Sequence, residues 1–277
     1  MTRHVLTVVC DDRVGIVHAV SGFLAERRCN ILDSQQFGDP VTGKFFLRVH
    51  FEADGPFDGD FGPVARRYGM DWQVHDDAVR SRLLVLVSRE GHCLNDLLYR
   101  WRAGALPADI AAVVSNHPDF EPLATAYGVP YHHLPVTPST RAEHEVALLE
   151  LVDRYDVELV VLARYMQVLS HDVCARLAGR IINIHHSFLP SFKGARPYHQ
   201  AYERGVKLIG ATAHYVTADL DEGPIIEQET ARVDHALTPE QLAGVGRDLE
   251  AMALARAVRW HVEHRVLLNG AKTVVFR

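Results

Sequence analysis

Apolar positions open the chain in one block, His4-Val-Leu-Thr-Val-Val-Cys10, the pattern of a buried strand. In residues 11–28 the spacing changes: Val14, Val17, Val20, Phe23 and Leu24 recur at three- and four-residue intervals and predict a helix. Residues 30–39 and 44–52 then alternate like half-buried strands around a turn from Pro40 to Gly43, which makes a hairpin. A loop rich in Gly, Asp and Pro follows, then a short helix near 61–69 and a last strand around Trp72 to Val74. The order βαββαβ is that of a ferredoxin-like unit, assigned here to residues 1–80.

From Ser81 the rhythm becomes strand, helix, strand. RLLVLVS leads to a helix over 94–101, ADIAAVVSN to a helix over 120–127, PYHHLPV to a long helix over 140–155, and VELVVLA to another helix before IINIHH. Such alternation predicts a parallel, doubly wound, Rossmann-like sheet in a domain running from 81 to 277. Its tail holds strands KLIGATAHYV and PIIEQETARV, a helix over 239–264 and a small hairpin closed by Asn269-Gly270. The fold class is therefore α/β, a small ferredoxin-like unit ahead of a larger doubly wound domain.

Composition narrows the function. With 48% hydrophobic residues among 277 the chain has enough apolar material for two cores, and a net charge of −6 with scattered Lys and Arg argues against a nucleic-acid partner. The four cysteines, Cys10, Cys29, Cys93 and Cys174, form no C-x-x-C pair and read as small buried hydrophobes, which fits a reducing cytoplasm. Charge returns by residue 11, too early for a secretory core, and no run approaches the ~18–20 apolar residues of a membrane span. A cytosolic chain with nothing removed and no membrane association is expected.

Candidate chemistry lies where the strands of the larger domain end, since ligands of doubly wound sheets sit beyond those carboxyl ends. IINIHHSFLP ends a core strand in Asn183, His185 and His186. Asn183 and His185 are two apart and share one side of the strand, with His186 on the other. An amide and an imidazole aimed at one point can stabilise the oxyanion of acyl transfer; they can equally be a hydrogen-bonded strand end. His214 ends a later strand, and Asp221 lies in a Leu-Asp-Glu-Gly-Pro turn where it is either a turn former or a proton carrier. In LARYMQVLS, Met166, Gln167, Val168 and Leu169 follow a central strand and either hold a flat heterocycle, exposing Met166, Val168 and Leu169, or simply pack. Ser187 and Ser191 lack a G-x-S-x-G elbow, and the seventeen histidines include no H-E-x-x-H pattern, so neither a serine hydrolase nor a metal centre is expected.

Together these three segments, in this order, resemble the folate-dependent formyltransferase family over roughly residues 82–277. The Asn-x-His motif matches Asn183 and His185, the D-x-G-P turn matches Asp221, and ARYMQVL resembles the pterin-holding loop. The leading unit resembles an ACT domain with DDRVGI as its ligand loop, and that combination, with HCLNDLL at 92–98, resembles the deformylase subgroup. Family transferases acting on glycinamide ribonucleotide carry a Gly-rich phosphate cradle where this chain reads SREGHCLN, with one glycine and with Glu90 to repel a phosphate. The resemblance implies hydrolysis of 10-formyltetrahydrofolate to formate and tetrahydrofolate, supplying formate for purine synthesis and balancing one-carbon folate pools. Transfer to an amine acceptor is the alternative. It further implies Asn183, His185 and Asp221 as catalytic residues, substrate contacts from Met166, Gln167, Val168, Leu169 and His214, and no cofactor or metal. Arg89 and His92 would lie near the site mouth, Arg89 either meeting the glutamate tail of folate or merely solvating its loop. Glycine or methionine would bind Asp11, Asp12, Arg13 and Gly15, unless an aspartate there only caps the helix, and the chain would form a homodimer or homotetramer.

Overall fold

The computed structural model describes residues 1–55, 57, 59–189 and 197–277; Pro190 and Ser191, named above, lie outside the described residues. It divides into two compact units, residues 1–80 with 263–277, and residues 81–262.

In the first unit the strands β1 (Thr2–Asp11), β2 (Asn30–Asp39), β3 (Lys44–Ala53) and β4 (Asp71–Asp76) and the helices α1 (Ile16–Glu26) and α2 (Gly62–Tyr68) follow the expected order. The sheet runs β2-β3-β1-β4, with β1 antiparallel to both neighbours. Alternate residues of the central strands, Leu6, Val8 and Cys10 on β1 and Leu47, Val49 and Phe51 on β3, meet Ile16, Val20 and Leu24 of α1 in one core. The other face of β1 and β3 is buried as well, with Val5 and Phe46, which is why β1 reads as an unbroken apolar block.

The second unit holds a seven-stranded sheet of order β11-β10-β9-β8-β5-β6-β7. Its elements are β5 (Ser81–Val87), α3 (His92–Arg102), β6 (Ala108–Ser115), α4 (Glu121–Ala126), β7 (Tyr131–His133), α5 (Arg141–Arg154), β8 (Leu159–Leu162), α6 (His171–Arg176), β9 (Ile181–His185), α7 (Pro197–Arg204), β10 (Leu208–Tyr215), β11 (Ile225–Arg232) and α8 (Pro239–Val262). Strand β7 is shorter than PYHHLPV predicts because prolines bracket it, and proline cannot donate to a ladder. Helix α7 was not anticipated; it starts at Pro197, a residue suited to a first helical turn.

Two expectations are corrected. The sheet is mixed, for β10 runs antiparallel to β9, and β11 antiparallel to β10. The link from β10 to β11 spans only residues 216–224, too few for the crossover that a parallel pair needs. Second, the closing hairpin of β12 (Val266–Asn269) and β13 (Lys272–Val275), expected in the larger domain, belongs to the first unit. There Leu267 and Phe276 cover the fully buried Phe46, and Asn269 Nδ2 donates to Asp39 at 2.7 Å. Buried Arg48 donates to the carbonyls of Glu263 and His264. Cys10, Cys93 and Cys174 are buried as expected, while Cys29 is half-buried; all four are free thiols.

Candidate active site

Strands β8, β9 and β10 are neighbours in the sheet, and strand register builds the site. Asn183 on β9 lies opposite His214 on β10 and beside Leu162 on β8. The Asn183 amide accordingly meets His214 Nε2 at 3.2 Å. His214 Nδ1 lies 2.8 Å from the Tyr215 carbonyl, so with its N–H donated there, Nε2 accepts from the amide and fixes its orientation. The other amide hydrogen remains for a ligand.

The 216–224 loop returns Asp221 to the same point. Asp221 has a φ of 57°, a left-handed conformation in which Asp and Asn are enriched. Two residues on, a Cβ at Gly223 would stand 1.7 Å from the Tyr215 carbonyl oxygen, so only glycine lets the turn lie against β10. Asp221 Oδ2 is then 3.3 Å from His185 Nδ1, and Oδ1 is 3.7 Å from His214 Nε2. The hydrogen bond to His185 and the His214 ring beside it, opposed by partial burial, hold the Asp221 carboxyl well below the ordinary carboxylate range. An anion held this firmly orients the His185 ring through Nδ1; it is a weak proton acceptor by itself. His185 is buried, and its Nε2 has no hydrogen-bond partner among the described residues.

These groups line one cavity of about 260 Å³, beside residues 165–169, 174 and 216–220. That is near the low end of ligand pockets, roughly 300–1,000 Å³, and suits a bicyclic ring better than a whole elongated ligand. Met166 and Val168 are exposed on its rim as expected; Leu169 instead is buried in the core while still facing the cavity. Ser88 pins this loop, accepting from the Met166 amide at 2.9 Å, and Arg141 reaches the Val168 carbonyl.

The structure departs from the sequence reading in three places. His186, assigned to the opposite side of the strand, lines the same cavity as His185 because β9 ends at His185 and the alternation ends with it. Arg89 is exposed, donates to His117 Nε2 at 3.3 Å and does not line this cavity. His92 does not stand open at a mouth: its Nε2 lies 2.8 Å from Glu250 Oε2. Sequence reading missed Glu250, which is 1% exposed and also takes the Tyr198 hydroxyl at 2.7 Å and approaches Arg164 Nε at 3.2 Å. Burial pushes the Glu250 carboxyl up, but His92, Arg164 and Tyr198 outweigh it and the net direction is down. One signal was available: an acidic residue interrupting an apolar stripe at the middle of α8.

Ligand atoms of His92, Cys93 and Glu250 lie within 4.8 Å of one another, the metal-like cluster found among the described residues. Its chemistry fits a cation poorly, because the Arg164 guanidinium shares the carboxylate and burial holds the Cys93 thiol well above its usual pKa. In the first unit, Gly15 rather than an aspartate is the N-cap of α1, with φ 97° and no side-chain cap. Asp11 pairs with Lys44 at 2.7 Å, and Arg13 sits over the Tyr68 ring, so the four loop residues are adjacent but two are already engaged within the unit.

Comparison with known proteins assigns a family to each unit. Residues 81–258 match the Formyl transferase family and residues 4–58 the ACT domain. A Corynebacterium sp. (strain P-1) protein named formyltetrahydrofolate deformylase is 52% identical, over 99% of this chain and 98% of its own length. The crystal structure of formyltetrahydrofolate deformylase from Burkholderia mallei superposes with a TM-score of 0.95 at 53% identity, covering all of both chains. That of glycinamide ribonucleotide transformylase 1 from Symbiobacterium toebii reaches 0.67 at 35% identity, over 72% of this chain and 95% of its own. With its ACT domain, its formyl transferase domain and its end-to-end likeness to these proteins, the chain belongs to the formyltetrahydrofolate deformylase family.

Proposed function

We propose that this chain is a hydrolase that cleaves 10-formyltetrahydrofolate to formate and tetrahydrofolate. The observation that carries the reading is the convergence of Asn183, His185 and Asp221 on one cavity walled by the 165–169 loop. The pterin would enter that cavity, with backbone groups of 165–169 reading its edge. The formyl oxygen would then meet the spare Asn183 N–H and His185 Nε2. Charge developing on that oxygen is what such donors stabilise most. Water adds to the formyl carbon and the C–N10 bond breaks. The Asp221–His185 pair takes one proton from water and returns one to N10, so the enzyme ends as it began. The steps call on no covalent intermediate, metal or organic cofactor.

An acceptor amine would have to approach from the α3 side, where Glu90 and Glu250, with the His92 ring between them, put carboxylates in place of bare amides. This favours water as acceptor. Purified protein incubated with 10-formyltetrahydrofolate alone should release formate and tetrahydrofolate in equal amounts. Release only on adding an amine would make it a transferase.

The ACT unit is proposed to bind glycine or methionine at residues 11–15 and to assemble the chain into a homodimer or homotetramer. The uncapped first turn of α1 supports the first role; for the second, β2 is an edge strand with Ile31, Leu32 and Phe37 exposed. Placement in the cytoplasm, with formate passed to purine synthesis, completes the proposal; free thiols and the lack of any described helix long and apolar enough to cross a membrane accord with it.

A further inference from the structure

Three imidazoles line the cavity, and the chemistry above uses two of them. His186 is the third. Its ring centroid lies 5.1 Å from that of His185, the planes tilted by 31°, and its ring nitrogens have no hydrogen-bond partner among the described residues. A half-buried imidazole with no protein partner beside a reaction centre is free to accept a hydrogen bond from a molecule in the cavity. Behind it stands a built support. Arg164, at a left-handed φ of 62°, reaches the cavity from the end of β8 and is held by Glu250, which His92 and Tyr198 hold in turn. Tyr198 reaches Glu250 only because α8 has Gly246 beneath it; a Cβ there would stand 1.9 Å from the hydroxyl.

We propose that His186 seats the attacking water: its unprotonated ring nitrogen accepts one water hydrogen and so aims an oxygen lone pair at the formyl carbon. The inference rests on the hydrolase reading. Supporting it, burial first, then the charges of Arg164 and His185, push the pKa of His186 down to about 4, against the opposing pull of Glu250 and Asp221. The ring is thus neutral at working pH and able to accept, but too weak a base to keep the proton. Water's oxygen bonds to the formyl carbon, the C–N10 bond breaks, the water proton goes to the Asp221–His185 pair and that pair protonates N10. Nothing is oxidised or reduced.

The test follows two products at once, formate from water and formohydroxamate from added hydroxylamine, whose nucleophilic nitrogen needs no seat. In His186→Ala, formate release should fall by at least about tenfold, below the ~100-fold cost of a misplaced reactant. The hydroxamate-to-formate ratio should rise by a similar factor, and tetrahydrofolate should still bind within about threefold, since His186 touches the reacting water and not the ring. His186→Gln, with an amide oxygen to accept, should recover part of the formate rate and serves also if the alanine variant does not fold. An unchanged product ratio, or an unchanged formate rate, overturns the proposal. Should the parent itself release no formate without an amine, the hydrolase reading fails, and this appears before any variant is compared.

Discussion

Asp221→Asn separates a turn residue from a working carboxylate. The site gives the size of the effect: at 3.3 Å, with an effective dielectric of about 20, a carboxylate and an imidazolium attract by about 5 kcal/mol before screening. At about 1.36 kcal/mol per tenfold in rate, the ~10²–10⁴ typical of acid–base assistance is about 2.7–5.4 kcal/mol, a matching range. Asparagine suits the left-handed conformation at φ 57° and can keep the turn's hydrogen bonds, so the fold should survive. The variant should therefore show a melting temperature only a few degrees lower, tetrahydrofolate binding close to the parent's, and formate release reduced at least about a hundredfold. Formate production would be followed by a coupled dehydrogenase assay under substrate saturation. Turnover within a few-fold of the parent would mean that Asp221 serves only the turn, and the proposed proton path would be wrong.

Three further outcomes follow from particular contacts. Gly223→Ala places a methyl 1.7 Å from the Tyr215 carbonyl oxygen, so the turn must move, and activity should be lost although Asp221 is intact; full activity would contradict that close approach. Glu250→Ala leaves His92, Arg164 and Tyr198 without their shared buried anion and should cost about 3–5 kcal/mol in chemical denaturation, as breaking a buried pair does; a loss under about 1 kcal/mol would show that the cluster relaxes into solvent. The lowered pKa of His186 predicts a pH effect: its contribution to stability is full above its unfolded value near 6.5 and is lost as pH falls toward about 4, where the folded protein first accepts the proton. Denaturation midpoints of the parent should thus fall more steeply over that window than those of His186→Gln; parallel curves would remove His186 from the explanation.

Much of the molecule was written locally. The apolar block of β1, the alternation along β2 and β3 and the three-to-four spacing of α1 define the first unit, because buried side chains recur with the period of the element that carries them. The same rule put Asn183 and His185 on one side of β9, and Asp-x-Gly-Pro marked the turn that carries Asp221. What sequence left open was decided by packing between distant segments. His186 joins the site because β9 stops one residue before it, and a period says nothing about where a strand ends. Glu250 reaches His92 across 158 residues and Arg164 from a neighbouring strand end, a pairing of charges with no local signature. The last hairpin covers Phe46 in the first unit, since an apolar ribbon buries itself on whichever core the fold brings near it. Local spacing thus determined which faces are apolar and which segments turn; long-range register and charge pairing, available only in the folded chain, decided which polar groups share the cavity and which are held behind it.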